Sequence, residues 1–244
     1  MAARPDAHLP EAVIRPVRGL HAFETCVEQL ATAIRLGVYP RGSTLPPERD
    51  LAEMMGVSRA TLREAMAALR QAGLVETTRG RGGGTVVTLK PRTPSARAAA
   101  RISEKKRRDW LDALEYRRIV EPGAAALAAS RELDDVRLAQ LQQAHDDLVA
   151  AAGTPEHRQA DSRFHLTIAA LTDSPRTIEA VTSVQAVLHE MLLAIPVMPA
   201  NISHSARQHA ALYRAIRAGK PTAARRAMES HCDDTAALLR GLLG

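Results

Sequence analysis

The sequence predicts a mainly α-helical protein, with an N-terminal winged helix-turn-helix followed by a C-terminal antiparallel all-helical bundle. Three observations predict this. Apolar residues recur at helical spacing over most of the chain, the β-prone stretches flank a single glycine-rich run at 79–84, and the excess positive charge lies in the N-terminal part. Residues 1–106 carry 17 Lys and Arg against 10 Asp and Glu, whereas residues 107–244 carry 16 against 17. A basic small domain on a neutral larger one suits a polyanionic partner, either nucleic acid or an acidic membrane surface, and composition alone does not choose between them. A length of 244 residues accommodates two domains, and with aromatics at only 2% their cores must be built from aliphatic side chains and alanine, which favours close helix packing.

In chain order, residues 1–18 are polar, contain proline and lack periodicity, which predicts a flexible tail. The winged helix-turn-helix is expected over 19–88. Phe23, Val27, Leu30 and Ile34 fall at i, i+4, i+7 and i+11 and predict a helix that Gly37 closes. A turn over 40–43 leads to Pro46 and Pro47, which suit the first turn of a second helix running through Leu51 to Gly56. Ser58 is a good N-cap for a third helix that ends before Gly73, so Met55, Gly56 and Val57 form the turn of a helix-turn-helix. The β-prone runs 74–78 and 85–88 around the glycines predict a wing. Residues 89–106, with Pro91, Pro94 and Lys105-Lys106, predict a linker. The helical domain is expected over 107–244, with helices near 108–130, 134–152, 155–172, 175–194, 204–218 and 221–243.

Two cysteines, Cys26 and Cys232, are too few and too far apart for a disulfide framework, and Cys26 falls on an apolar helix face. No apolar run approaches the roughly 18 residues of a membrane span and the first ten residues have no hydrophobic signal core, so a cytoplasmic protein without a membrane partner is expected.

On the third helix Leu62, Met66 and Leu69 form the apolar stripe, and Arg59 and Arg63 lie together beside it near the helix start. Recognition helices read base edges from their N-terminal residues, and Arg matches the two acceptors of guanine with two parallel hydrogen bonds. Ser58 and Thr61 can reach phosphate oxygens, and Arg49 can cross to the backbone or groove.

In the second domain Asp161 and His165 are one helical turn apart, a spacing that by itself is as consistent with an ordinary side-chain pair as with a metal site. His209 shares an apolar stripe with Leu212, Tyr213 and Ile216, and His231 shares one with Met228 and Leu238. Gly219-Lys220-Pro221 is the turn between their helices, ten residues from each histidine, so antiparallel packing at ~1.5 Å per residue brings both imidazoles to one level about 15 Å from the turn. Two inward histidines at matched depth point to a metal as much as to packing. Arg117 and Glu121 extend the stripe of Trp110 and Leu114, either as a buried ion pair or as a guanidinium open to a carboxylate ligand.

The segment 27–87 resembles the winged-helix signature of the GntR superfamily, above all in Leu45-Pro46-Pro47-Glu48-Arg49-Asp50-Leu51-Ala52, in the run from Gly56 to Ala65 and in Gly73-Leu74-Val75. Pro47 stands where that family often has a capping serine. The resemblance implies that Arg49, Arg59 and Arg63 contact DNA, that Thr61 touches phosphate or base, and that Arg79-Gly80 forms a wing tip in the minor groove. Residues 108–240 resemble the FCD effector domain of the FadR-like branch, in Arg117 with Glu121-Pro122, in Asp161 with Phe164-His165, and in His209 and His231 at 22-residue spacing. Ser174 stands where many members have asparagine. The FCD resemblance implies that Asp161, His165, His209 and His231 bind a divalent metal, zinc first, and that a small carboxylate effector binds there with Arg117. Together these resemblances imply a homodimeric, metabolite-responsive repressor on an inverted-repeat operator in double-stranded DNA. The rival is a metal-dependent hydrolase-like enzyme fused to a DNA-binding domain, because three histidines and an aspartate can leave a metal position open.

Overall fold

The computed structural model describes residues 9–17, 21–78, 84–90 and 102–243, and the chain divides between Pro91 and Arg92 into two compact units. The N-terminal unit contains α1 (Leu9–Val13), α2 (Ala22–Arg35), α3 (Glu48–Met55), α4 (Arg59–Gln71), β1 (Val75–Thr77) and β2 (Thr85–Val87). Its core comes from the predicted stripes, with Leu30, Ile34, Leu51, Leu62, Met66 and Leu69 all fully buried. Each such side chain contributes about 1.5–3 kcal/mol by leaving water. Gly56 ends α3 at φ +64°, a left-handed cap that glycine adopts without Cβ strain, and Val57 N–H then bonds to the Ala52 carbonyl at 3.0 Å. The chain thereby reverses in three residues and α4 starts at once.

Part of the segment expected as a flexible tail is structured. Val13 and Ile14 are buried, Arg15 N–H donates to Gln29 Oε1 at 2.9 Å, and Val17 N–H donates to the Met55 carbonyl at 2.7 Å. Two adjacent apolar residues are too short a run to register as a period, so only their packing reveals this element. Residues 1–8 and 18–20 lie outside the described residues.

The wing strands pair antiparallel, with Val75 opposite Val87 and Thr77 opposite Thr85, and Thr44 bridges to Val86 on the other side of β2. Both strands are shorter than predicted. A Cβ on Gly84 would stand 2.8 Å from Thr44 Cγ2, so the absence of a side chain lets these strands close.

The C-terminal unit contains α5 (Glu104–Ala129), α6 (Asp135–Ala150), α7 (His157–Ala170), α8 (Pro175–Leu193), α9 (Pro199–Arg217) and α10 (Pro221–Leu243). Helix α5 packs against α7, α8, α9 and α10, and α9 packs along α10. Its core is rich in alanine, with Ala125, Ala128 and Ala129 of α5 beside Phe164, Leu212 and Met228. Helix α5 begins inside the predicted linker, because Ser103 caps it by accepting from Lys106 N–H at 3.2 Å. Helix α9 starts at Pro199, five residues before the predicted start at 204, since proline is tolerated in a first turn and 200–205 carry no apolar period to announce it. No helix among the described residues is long and apolar enough to cross a membrane.

Candidate functional site

Helix α4 turns Leu62, Ala65, Met66 and Leu69 inward, which leaves Arg59 and Arg63 exposed on its first turn and a half. Ser58 Oγ accepts from Thr61 N–H at 3.0 Å and lies 2.9 Å from Thr61 Oγ1, so both hydroxyls take part in the helix cap. Arg49 is exposed at the start of α3, with Nε 2.9 Å from Asp50 Oδ1, and Pro47 before it provides no side-chain cap. Arg79 and Gly80 lie outside the described residues.

In the helical unit α7 carries Asp161 and His165, α9 carries His209, and α10 carries His231. The three histidines are buried, and each offers a ring nitrogen within 4.8 Å of the other two. The rings of His209 and His231, predicted to lie level, have centroids 4.4 Å apart. Nε2 of His165 faces Nε2 of His209 at 3.4 Å, and Asp161 Oδ1 meets the cluster at that same His209 Nε2, also at 3.4 Å.

The far sides of two rings are anchored. His165 Nδ1 lies 2.7 Å from Glu121 Oε2, and His231 Nδ1 lies 3.2 Å from Gln208 Oε1. An acceptor beyond Nδ1 places the proton there and leaves the Nε2 lone pair for the centre, as metal-binding histidines require. Burial depresses the pKa of His209 to about 3 against the pull of Asp161, and burial followed by repulsion from His209 holds His231 well below its usual value. Burial works to raise the Asp161 pKa, but His209 and His165 hold it below the usual aspartate value. Three imidazoles with converging nitrogens, and a carboxylate that meets them at His209, make a donor set that fits a divalent metal ion.

Arg117 and Glu121 form a buried ion pair, one of the two readings the sequence left open, Nε to Oε2 at 3.2 Å, with each side chain only 1% exposed. Glu121 has a second task that the sequence did not suggest. Its other oxygen accepts from Gln185 Nε2 at 2.6 Å, and its carboxylate orients His165. Burial opposes ionisation of Glu121, but Arg117 and His165 hold its pKa below the usual carboxylate range. Nη1 and Nη2 of Arg117 are buried without a hydrogen-bond partner. Arg117 lines a cavity of about 290 Å³ that Asp161 and His231 also line. A buried guanidinium with unused donors beside a cavity is suited to a bidentate acceptor such as a carboxylate.

The structure thus brings together Arg117, Asp161, His165, His209 and His231. Sequence reasoning missed Glu121 as the anchor of His165, and it missed Gln185 and Gln208. Gln185 was detectable, since it is a polar residue on the stripe of Ile178, Val181 and Leu188 and is fully buried. Ser174 caps α8 by accepting from Thr177 N–H at 3.3 Å and is not among the cavity-lining residues.

Two family models match the chain, "Bacterial regulatory proteins, gntR family" over residues 23–87 and "FCD domain" over residues 112–234. The HTH-type transcriptional regulator RmpR of Mycobacterium gastri is 35% identical over 235 residues, spanning 90% of this chain and 80% of that protein. The Glc operon transcriptional activator of Escherichia coli K12 is 28% identical over 220 residues, 85% of each chain. Among solved structures, the Streptococcus agalactiae GntR protein covers 88% of this chain and 99% of its own, at 28% identity and a TM-score of 0.50. These relatives are transcriptional regulators and not enzymes, so the hydrolase alternative is set aside.

Proposed function

Because the chain belongs to the GntR family of bacterial regulatory proteins and carries an FCD domain, it is a DNA-binding transcriptional regulator, and we propose that its helical unit senses a small carboxylate beside a bound divalent metal. The observation that carries this reading is the buried histidine cluster, which reaches a cavity through His231, together with Arg117, which lines the same cavity and has unpaired donors. His165, His209, His231 and Asp161 would hold the ion, with zinc suited to three imidazoles and a carboxylate. The ion would supply Lewis-acid attraction for one effector carboxylate. Arg117 would grip that carboxylate through its two free donors, and Glu121 would keep both Arg117 and His165 in place.

On the DNA side Arg59 and Arg63 would read base edges in the major groove, Arg49, Ser58 and Thr61 would set the docking, and Arg79 and Gly80 would form the wing tip. A small winged helix reaches useful affinity by pairing two half-sites, which supports a homodimer on an inverted repeat. Repression is the proposed mode, since it needs only occupancy of the operator. The Glc operon relative is an activator, so a reporter assay decides the sign for this chain.

The experiment is metal analysis of the purified protein, followed by thermal-shift measurement with small carboxylates in the presence and absence of zinc. The reading requires metal retention or uptake, and a carboxylate-dependent rise in melting temperature that disappears in Arg117→Met. A protein that carries no metal, takes none up and responds to no carboxylate overturns it.

A further inference from the structure

We propose that Arg158 is a second anion-binding residue of the cavity, and that the effector is a compact organic acid with two anionic groups. This assignment rests on the effector reading above and narrows its chemistry. Arg158 lies on α7 one turn before Asp161 and lines the same cavity as Arg117. Its Nη1 is buried without a hydrogen-bond partner, and its Nη2 donates only a long bond, 3.4 Å, to the Ile195 carbonyl. Among the described residues no carboxylate forms an ion pair with it, and Asp161 acts on it only as a nearby charge beyond ion-pair contact. Burial lowers the pKa of this guanidinium to about 10 against the nearby Asp161, so it remains cationic at neutral pH while having lost much of its hydration. A half-buried cation that lines a cavity and keeps one donor unused calls for an anion.

Charge balance leads to the same conclusion. Glu121 offsets Arg117, and Asp161 offsets Arg158. A divalent ion among the histidines would then leave the site with two uncompensated positive charges. A monoanion would leave one of them buried, whereas a dianion neutralises both.

The cavity also limits size and spacer. At about 290 Å³ it has the room of a small-molecule site, which suits a small organic acid. Leu188, Leu192, Ile195, Ile202 and Leu238 line it as well, so the link between the two anionic groups is hydrocarbon in character.

The test is isothermal titration calorimetry of the full-length, zinc-loaded protein with glutarate and adipate, and with pentanoate and hexanoate as monoacids of equal chain length. A charged hydrogen bond at the second group predicts that the diacids bind roughly tenfold to a hundredfold more tightly. 3-Phosphonopropionate tests whether the second group is read as carboxylate or phosphonate. Arg158→Met should bring diacid and monoacid affinities together, and Arg158→Lys should retain the preference. Should Arg158→Met not fold, Arg158→Gln takes its place, because its amide can still donate to the Ile195 carbonyl. Equal affinity for monoacids and diacids, or an undiminished preference in Arg158→Met, overturns the assignment of Arg158 while leaving the effector reading intact. If neither class binds the zinc-loaded protein, the effector reading fails and this assignment with it.

Discussion

At the scale of single residues, the Glu121 carboxylate contacts Arg117, His165 and Gln185 within a buried region, so its charge is shared by the anion-binding and histidine halves of the site. Glu121→Gln keeps the shape but strips Arg117 of its counter-charge. Leaving a buried cation uncompensated should reduce stability by about 3–5 kcal/mol, read from urea denaturation. An unchanged midpoint and slope would show that Arg117 finds solvent or another partner. The histidines make a second prediction. His209 titrates near 3 in the folded chain against an ordinary value of 6.5, so the unfolded chain binds more protons between those limits. Stability of the metal-free protein is therefore full above about pH 6.5 and is lost progressively as pH falls towards 3, and His231, also depressed, acts in the same direction. The melting temperature of the metal-free protein should drop between pH 7.5 and 5. In His209→Asn/His231→Asn that slope should be shallower.

At the scale of elements, α4 combines a cap, a buried stripe and two outward arginines in 13 residues. Ser58→Ala removes the acceptor for Thr61 N–H and should destabilise the N-terminal unit by about 1 kcal/mol without changing which operator is chosen. Arg59→Ala or Arg63→Ala should do the converse. Each should leave the melting curve in place and relax base preference at one or two positions of a half-site, by about 1–3 kcal/mol per lost bidentate contact. Competition binding against a set of single-base operator variants separates these outcomes. Operator preference unchanged in both arginine variants would falsify the recognition-helix assignment.

Across the whole molecule, the proposed ligands come from α7, α9 and α10, so an ion held by them would tie three helices of the native state together and stabilise only that state. Chelation should lower the melting temperature of the helical unit by on the order of 5–10 °C when metal had been present at about a hundred times its dissociation constant. His231→Ala should abolish that sensitivity and the carboxylate response while operator binding persists, because the N-terminal unit has its own core. A fragment of residues 102–244 retains the Ser103 cap of α5 and should fold as a helical protein that binds no DNA. Circular dichroism and gel mobility would check both parts, and a strand-rich spectrum would count against the division of the chain.

The sequence alone determined the helices other than α1, the helix-turn-helix and the wing strands, because each is announced by a local period, cap or turn residue. It also determined that His209 and His231 meet, since a turn midway between them makes depth a matter of counting residues. The tertiary structure alone decided that Glu121 reaches His165, that Gln208 anchors His231, and that Arg158 shares a cavity with Arg117. Those relations depend on how several helices are rotated and spaced against one another, and the period of one helix carries no information about its neighbour's rotation. Helix α1 shows the same limit at small scale, since Val13 and Ile14 are too few to make a pattern and are placed only by what covers them.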